Sequence, residues 1–177
     1  MNIGADFEGA VLAYIDSVMS HLRQYQLLSK PQKDRGAWTD GASGTKHHID
    51  VRAELQHNDT RCLLLVECKC LSEKVGLEDV LCFLGRVVDI KPLYQQRYGD
   101  KATVEALMYT KVGWTGPAKK LADHHQIGFL LYNEEGTAFA LGETRSVLIR
   151  VGAPAAATAA GHAPTVTAAC SAQVACP

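Results

Sequence analysis

The chain has 177 residues, 47% of them hydrophobic and 21% charged, with a formal net charge of −1. This is one domain's worth of chain in an ordinary globular composition, able to bury a single good core. Near-neutrality excludes a global positive field, so any nucleic-acid binding must come from a local patch, and no run approaches the roughly 18–20 apolar residues of a membrane helix.

Residues 6–28 read as a helix, with Asp6 as N-cap and Phe7, Val11, Tyr14, Ile15, Val18 and Leu22 recurring at helical spacing. Residues 29–47 read as a loop rich in Gly, Asp, Ser, Thr and Lys, carrying an exposed Trp38. Two strands are expected over 48–55 and 62–70, joined by the turn His57-Asn58-Asp59-Thr60. A second helix is expected over 76–90, with Leu77, Val80, Leu81, Leu84, Val87 and Val88 as its apolar stripe.

Residues 104–110 read as a buried strand. Gly113-Trp114-Thr115-Gly116-Pro117 then leads into a helix over 117–126, with Thr115 as cap and Pro117 in the first turn. A strand follows at 127–132, a turn at 133–136, and edge strands at 137–141 and 146–151. The order α-β-β-α-β-α-β implies an α/β sandwich, a central mixed sheet flanked by helices. Residues 152–177 are Ala/Pro/Thr-rich and contain no Asp, Glu, Lys or Arg, so a disordered tail is expected after a domain spanning 1–151.

The N-terminus has neither the basic nor the apolar region of a signal peptide, and the six cysteines form no disulfide framework. A reduced, cytoplasmic setting is the expectation. Cys68 and Cys70 are expected as small apolar core residues under the second helix.

Charge intrudes where the second strand should be core. Leu63, Leu64, Leu65 and Val66 lead into Glu67, Cys68 and Lys69, and strand alternation sends 63, 65, 67 and 69 to one face. Burying two unsatisfied charges is costly, so the pair demands a partner, a cleft or a metal. If the turn centres between Asn58 and Asp59, counting outward sets Asp50 opposite Glu67, with Cβ atoms about 4.5–5.5 Å apart. Two carboxylates that close repel unless one is protonated or a cation lies between them. Mg²⁺ or Mn²⁺ would accept both, with the Cys68 backbone carbonyl and waters completing the shell. Lys69 is placed to orient a water or to stabilise developing phosphate charge, which completes the parts for phosphodiester hydrolysis. The same residues on an open sheet face would be only a surface salt bridge.

Asp50, sixteen intervening residues and then Glu67-Cys68-Lys69 resemble the Asp…(Asp/Glu)-x-Lys motif of restriction-endonuclease-like nucleases. The flanking segments Gly44-Thr45-Lys46-His47-His48-Ile49-Asp50-Val51 and Val66-Glu67-Cys68-Lys69 resemble the Mrr-type branch in particular, as does Gly113-Trp114-Thr115-Gly116-Pro117-Ala118. The resemblance covers roughly residues 5–132. It implies a Mg²⁺- or Mn²⁺-dependent endonuclease acting on DNA, with Asp50, Glu67, Cys68 and Glu8 around the metal and Lys69 catalytic. Glu8 enters because the family carries a glutamate in its first helix, and here it lies in line with Leu12, Ile15 and Met19. Lys46, His48 and Arg52 are candidate phosphate contacts, and Trp38 and Trp114 candidate stacking platforms. A loop tryptophan can equally cover a core edge, and His48 can equally be structural.

Two alternatives stay open. One is a Holliday-junction-resolvase-like enzyme, which shares this acid set. The other is a non-catalytic module that keeps the fold and binds nucleic acid or protein. Target choice would come from DNA structure or modification, from a homodimer or from a recognition partner protein. No membrane association is expected.

Overall fold

The computed structural model describes residues 3–21, 26–32, 38–70, 72–132 and 138–140. In chain order these form α1 (Ile3–His21), β1 (Gln26–Gln32), β2 (Trp38–Asp40), β3 (Lys46–His48), β4 (Val51–His57) and β5 (Thr60–Lys69). Then come α2 (Leu77–Tyr98), β6 (Thr103–Thr110), α3 (Gly116–His124), β7 (Gly128–Tyr132) and β8 (Ala138–Ala140). Strands β1-β4-β5-β6-β7-β8 make one mixed sheet, and β2 and β3 a separate hairpin.

The strands β5, β6 and β7 are neighbours and run parallel, with α2 and α3 as their crossovers. Successive right-handed crossovers stepping in one direction put both helices on the same face of the sheet. Accordingly Leu63, Leu65, Ala106, Met108 and Phe129 share one core with Val80, Phe83 and Ile90 of α2 and Ala118 and Ala122 of α3. The opposite face, with Val51, Ala53, Leu64, Val66 and Tyr109, is covered by Phe7, Val11 and Ile15 of α1. The architecture is the expected one: a central mixed sheet flanked by helices.

Several local expectations are corrected. α1 begins at Ile3 and ends at His21, so Asp6 stands inside its first turn and the helix does not reach residue 28. Residues 26–32 are instead an edge strand paired antiparallel with β4, and Pro31 is tolerated there because an edge strand need not donate on both sides. The segment expected as loop also supplies the β2–β3 hairpin, in which Trp38 pairs with His48 and Asp40 with Lys46. Such pairings are tertiary, and they override local composition.

The second helix runs eight residues further than expected and buries Val80, Phe83, Ile90 and Tyr94, while Leu77, Leu81 and Val88 are exposed. The inner stripe is thus set by the longer helix, which continues past Pro92 because Ile90 and Tyr94 anchor it on either side. Cys68 and Cys70 pack against the α1 core, not under α2, since they alternate with Glu67 and Lys69. Thr115 caps α3 by accepting from the Ala118 N–H at 3.4 Å, with Pro117 in its first turn, as expected. No described helix is long and apolar enough to cross a membrane. The expected strand at 146–151 and the tail at 152–177 lie outside the described residues.

Candidate active site

The β4–β5 hairpin has the expected register. Val51 pairs with Val66 and His57 with Thr60 around a two-residue turn in which Asn58 adopts φ 52°, a left-handed conformation asparagine tolerates. Asp50 and Glu67 are the next positions outward. The chain bends at Asp50, so β4 has ended and the Cys68 N–H is left without a strand partner. The Asp50 carboxylate takes that role, with Oδ2 accepting from Cys68 N at 2.7 Å.

Glu67 is only 5% exposed, at the carboxyl end of a parallel strand, where open α/β sheets place their ligand crevices. Its carboxylate lies 3.1 Å from Lys69 Nζ and 2.8 Å from Arg86 Nη1. Lys69 also reaches Asp79 Oδ1 at 3.4 Å. Burial raises the pKa of Glu67, and the neighbouring Asp50 charge raises it further, against the opposing pull of Arg86 and Lys69. Burial likewise raises Asp50; the Cys68 N–H pulls the other way and the Glu8 charge adds to the rise. Lys69 is pushed down by burial, yet Glu67 and Asp79 outweigh that and hold it above its ordinary value. Lys69 is therefore a fixed cation and not a proton acceptor. The Cys68 thiol is raised far by burial, which leaves it a neutral core group.

Glu8 comes from α1, on the other side of the sheet, and its charge reaches both Asp50 and Cys68. The structure thus brings Glu8, Asp50, Glu67 and Lys69 to one end of the sheet. Among the described residues, however, no three His, Cys, Asp or Glu side chains converge tightly enough to hold an ion by themselves.

The expected nucleic-acid contacts divide. His48 Nδ1 lies 3.9 Å from Asp50 Oδ1, and its ring meets Trp38 edge-on at 5.3 Å. Trp38 is 52% exposed. Lys46 is exposed and sits 3.9 Å from Asp40. Arg52 is turned onto Glu54 and is largely buried, so it offers no open guanidinium to a phosphate at Asp50. Trp114 stacks on Phe129, ring centroids 4.6 Å apart, and packs against the α2–α3 core. That is the role of a core-edge cover.

Two site residues escape the motif. Arg86, which binds Glu67, was signalled only as a lone arginine in the apolar run Leu84-Gly85-Arg86-Val87-Val88. Asp79 accepts from the Gly76 N–H at 2.9 Å, so it caps α2 while pairing Lys69. Its signal was an acid three residues past the helix start.

No family model matches the chain, and no curated protein matches it. Among solved structures it is similar to AF1548, a protein of unknown function, at TM-score 0.46 and 16% identity over 71% of this chain. The chain spans about half the length of that protein, 56% of it. An XisH family protein from Nostoc punctiforme PCC 73102 gives TM-score 0.45 at 11% identity, covering 75% of this chain and 95% of the other. The restriction endonuclease MspJI, in complex with a 27-mer oligonucleotide, gives 0.36 at 16% identity over 74% of this chain and 26% of that one. At these scores the function must be argued from the side chains.

Proposed function

We propose that the chain is a metal-dependent endonuclease of the restriction-endonuclease-like, Mrr-type kind that hydrolyses phosphodiester bonds in DNA. The observation that carries this reading is the pair of buried, mutually repelling carboxylates at Asp50 and Glu67 with Lys69 Nζ 3.1 Å from Glu67. Repulsion between buried acids costs stability, and a cation between them relieves it.

The donor set suits Mg²⁺ or Mn²⁺, which use one or two carboxylates and keep several waters. Asp50 and Glu67 would be the direct ligands. In an extended strand a residue's N–H and C=O point toward the same neighbour, so the Cys68 carbonyl lies on the Asp50 side and can join them. Glu8 would hold the water shell from the α1 side. A bound divalent cation supplies Lewis-acid charge and acidifies its water. Lys69, cationic throughout the neutral range, stabilises negative charge developing on the phosphate. Trp38 and His48 line the approach to the acids.

The test is incubation of wild type and Lys69→Ala with supercoiled, linear, single-stranded and four-way-junction DNA in Mg²⁺ and Mn²⁺. Wild type is expected to cleave, and Lys69→Ala to lose about 10²–10³-fold in rate, the cost of removing one preorganised charge donor. Full cleavage by Lys69→Ala sinks the assignment. Preference for the junction would favour a Holliday-junction-resolvase-like enzyme.

One observation favours a second reading, a non-catalytic module binding nucleic acid or protein: Glu67 is already neutralised by both Lys69 and Arg86. Calorimetric titration with Mn²⁺ separates the two, since the module binds none. A cytoplasmic setting, a homodimer and a recognition partner remain part of the nuclease proposal.

A further inference from the structure

A cavity of about 230 Å³ lies between the β2–β3 hairpin, β4–β5 and the C-terminal half of α2. At about 30 Å³ per water it has room for roughly seven, smaller than a drug-sized pocket and suited to one small ring system. Leu63 and Ile90, both fully buried, form its apolar floor, and Trp38 and Tyr94 its aromatic walls.

Two polar atoms at this cavity are buried with no hydrogen-bond partner among the described residues: the Tyr94 hydroxyl and Arg52 Nε. Tyr94 is 7% exposed. Orphaned buried polar groups are rare in folded proteins, and each one points to a missing partner. The charges at the cavity balance, with Arg52 and Arg97 against Glu54 and Asp40. A balanced rim does not select a bare phosphate. Donors and acceptors set around a flat, aromatic-walled slot select a neutral, planar heterocycle that has both.

The cavity adjoins the acid site. Arg52 is two residues along β4 from Asp50, about 7 Å in extended chain. Trp38 lies edge-on to His48, which faces Asp50. We infer that the cavity accepts one unstacked nucleobase from a DNA strand held at Asp50, with Trp38 stacking on it and the Tyr94 hydroxyl and Arg52 Nε reading its edge. This rests on the nuclease reading for the source of the base. An enzyme that takes a base out of the stack selects strands in which unstacking is easy, such as single-stranded, mismatched or damaged DNA.

The test uses 2-aminopurine, whose fluorescence falls on stacking. It is presented as the free riboside, in a single-stranded oligonucleotide and in a matched duplex, with EDTA present to prevent cleavage. Wild type and Lys69→Ala are expected to quench the single-stranded probe alike. Trp38→Ala should lose the quenching and weaken binding by roughly five- to 150-fold, the range for a base–aromatic stack. Tyr94→Phe should weaken binding roughly three- to tenfold, one neutral hydrogen bond, while its Tm stays level or rises because an unpaired hydroxyl is gone. Wild-type binding by Tyr94→Phe, or quenching that survives Trp38→Ala, overturns the inference. Equal affinity for the free riboside overturns its strand part and reassigns the cavity to a free nucleoside. Quenching intact in a chain that cleaves nothing upholds the base site and removes only the nuclease reading.

Discussion

Arg86 Nη1 lies 2.8 Å from Glu67 Oε2 and 3.3 Å from the His48 carbonyl, so one side chain of α2 ties the end of β5 to the end of β3. A cation bound at Glu67 would compete with this guanidinium for the same carboxylate. Arg86→Met is therefore expected to act in opposite directions. Without metal its Tm falls, by the equivalent of about 1 kcal/mol, since Lys69 still pairs the buried acid and Arg86 is partly solvated. With Mn²⁺ its affinity rises by roughly tenfold, or about 1.4 kcal/mol. Calorimetry showing weaker Mn²⁺ binding in Arg86→Met would mean that the guanidinium helps the site and does not compete for it.

The pH dependence follows from the two acids. Burial raises both Asp50 and Glu67 above their ordinary values of 3.8 and 4.5. A carboxyl with a raised folded pKa contributes stability that is full below its unfolded value and is lost as pH rises through the folded one. The metal-free chain should therefore lose stability as pH climbs above this acid range. Asp50→Asn keeps an acceptor for the Cys68 N–H but removes the charge. It should melt about 2–4 °C above wild type at pH 8, the shift that ~1 kcal/mol gives a domain of this size, with the two curves converging toward pH 4. The same variant should lose the Tm rise that Mg²⁺ gives wild type. A lower Tm at pH 8 for Asp50→Asn would refute the repulsion.

Why the acid pair could be located from sequence and its neighbours could not is a matter of contact range. Asn58 and Asp59 fix a two-residue turn, and a turn of known length fixes every rung above it, so Asp50 and Glu67 were placed opposite each other by counting. Glu67 and Lys69 stood out because they interrupt an apolar strand. No such local rule reaches β1, which exists only because residues 26–32 find the free edge of β4. Nor does one reach the β2–β3 hairpin, which depends on Asp89 some forty residues later. The inner stripe of α2 was misplaced for a related reason: apolar residues lie on several sides of this helix, and packing selected Val80, Phe83, Ile90 and Tyr94.

Glu8 offers a graded test of the α1 side of the site. Its charge reaches Asp50 and Cys68 across the end of the sheet, without the direct hydrogen bond that fixes Asp50. A group acting through the water shell should matter less than a direct ligand. Glu8→Gln is expected to weaken Mn²⁺ binding only severalfold, about 1 kcal/mol, whereas Asp50→Asn should reduce it beyond detection by calorimetry. Equal losses in the two variants would make Glu8 a direct ligand.

The β2–β3 hairpin carries Trp38 and His48 to the site, and its attachment to α2 turns on Gly41. A Cβ there would lie 1.9 Å from Asp89 Oδ2 and 2.9 Å from His47 Nε2. Asp89 cannot step aside without breaking its bonds to the Ser43 N–H at 2.8 Å, the Ser43 hydroxyl at 2.7 Å and His47 Nε2 at 2.6 Å. The backbone joins in, with the Ala42 N–H donating to the Asp89 carbonyl at 2.8 Å. Gly41→Ala should therefore cost about 1–3 kcal/mol by overpacking and loosen the hairpin, read as a fall in Tm and a change in Trp38 emission. Gly85→Ala is the matched control, because a Cβ at that exposed position in α2 meets nothing within 4 Å. It should raise stability by about 0.5–1 kcal/mol, the ordinary gain of alanine over glycine inside a helix. If Gly41→Ala melts with wild type, Asp89 is not what holds the hairpin against the helix, and the wall that Trp38 gives the cavity must be held by other contacts.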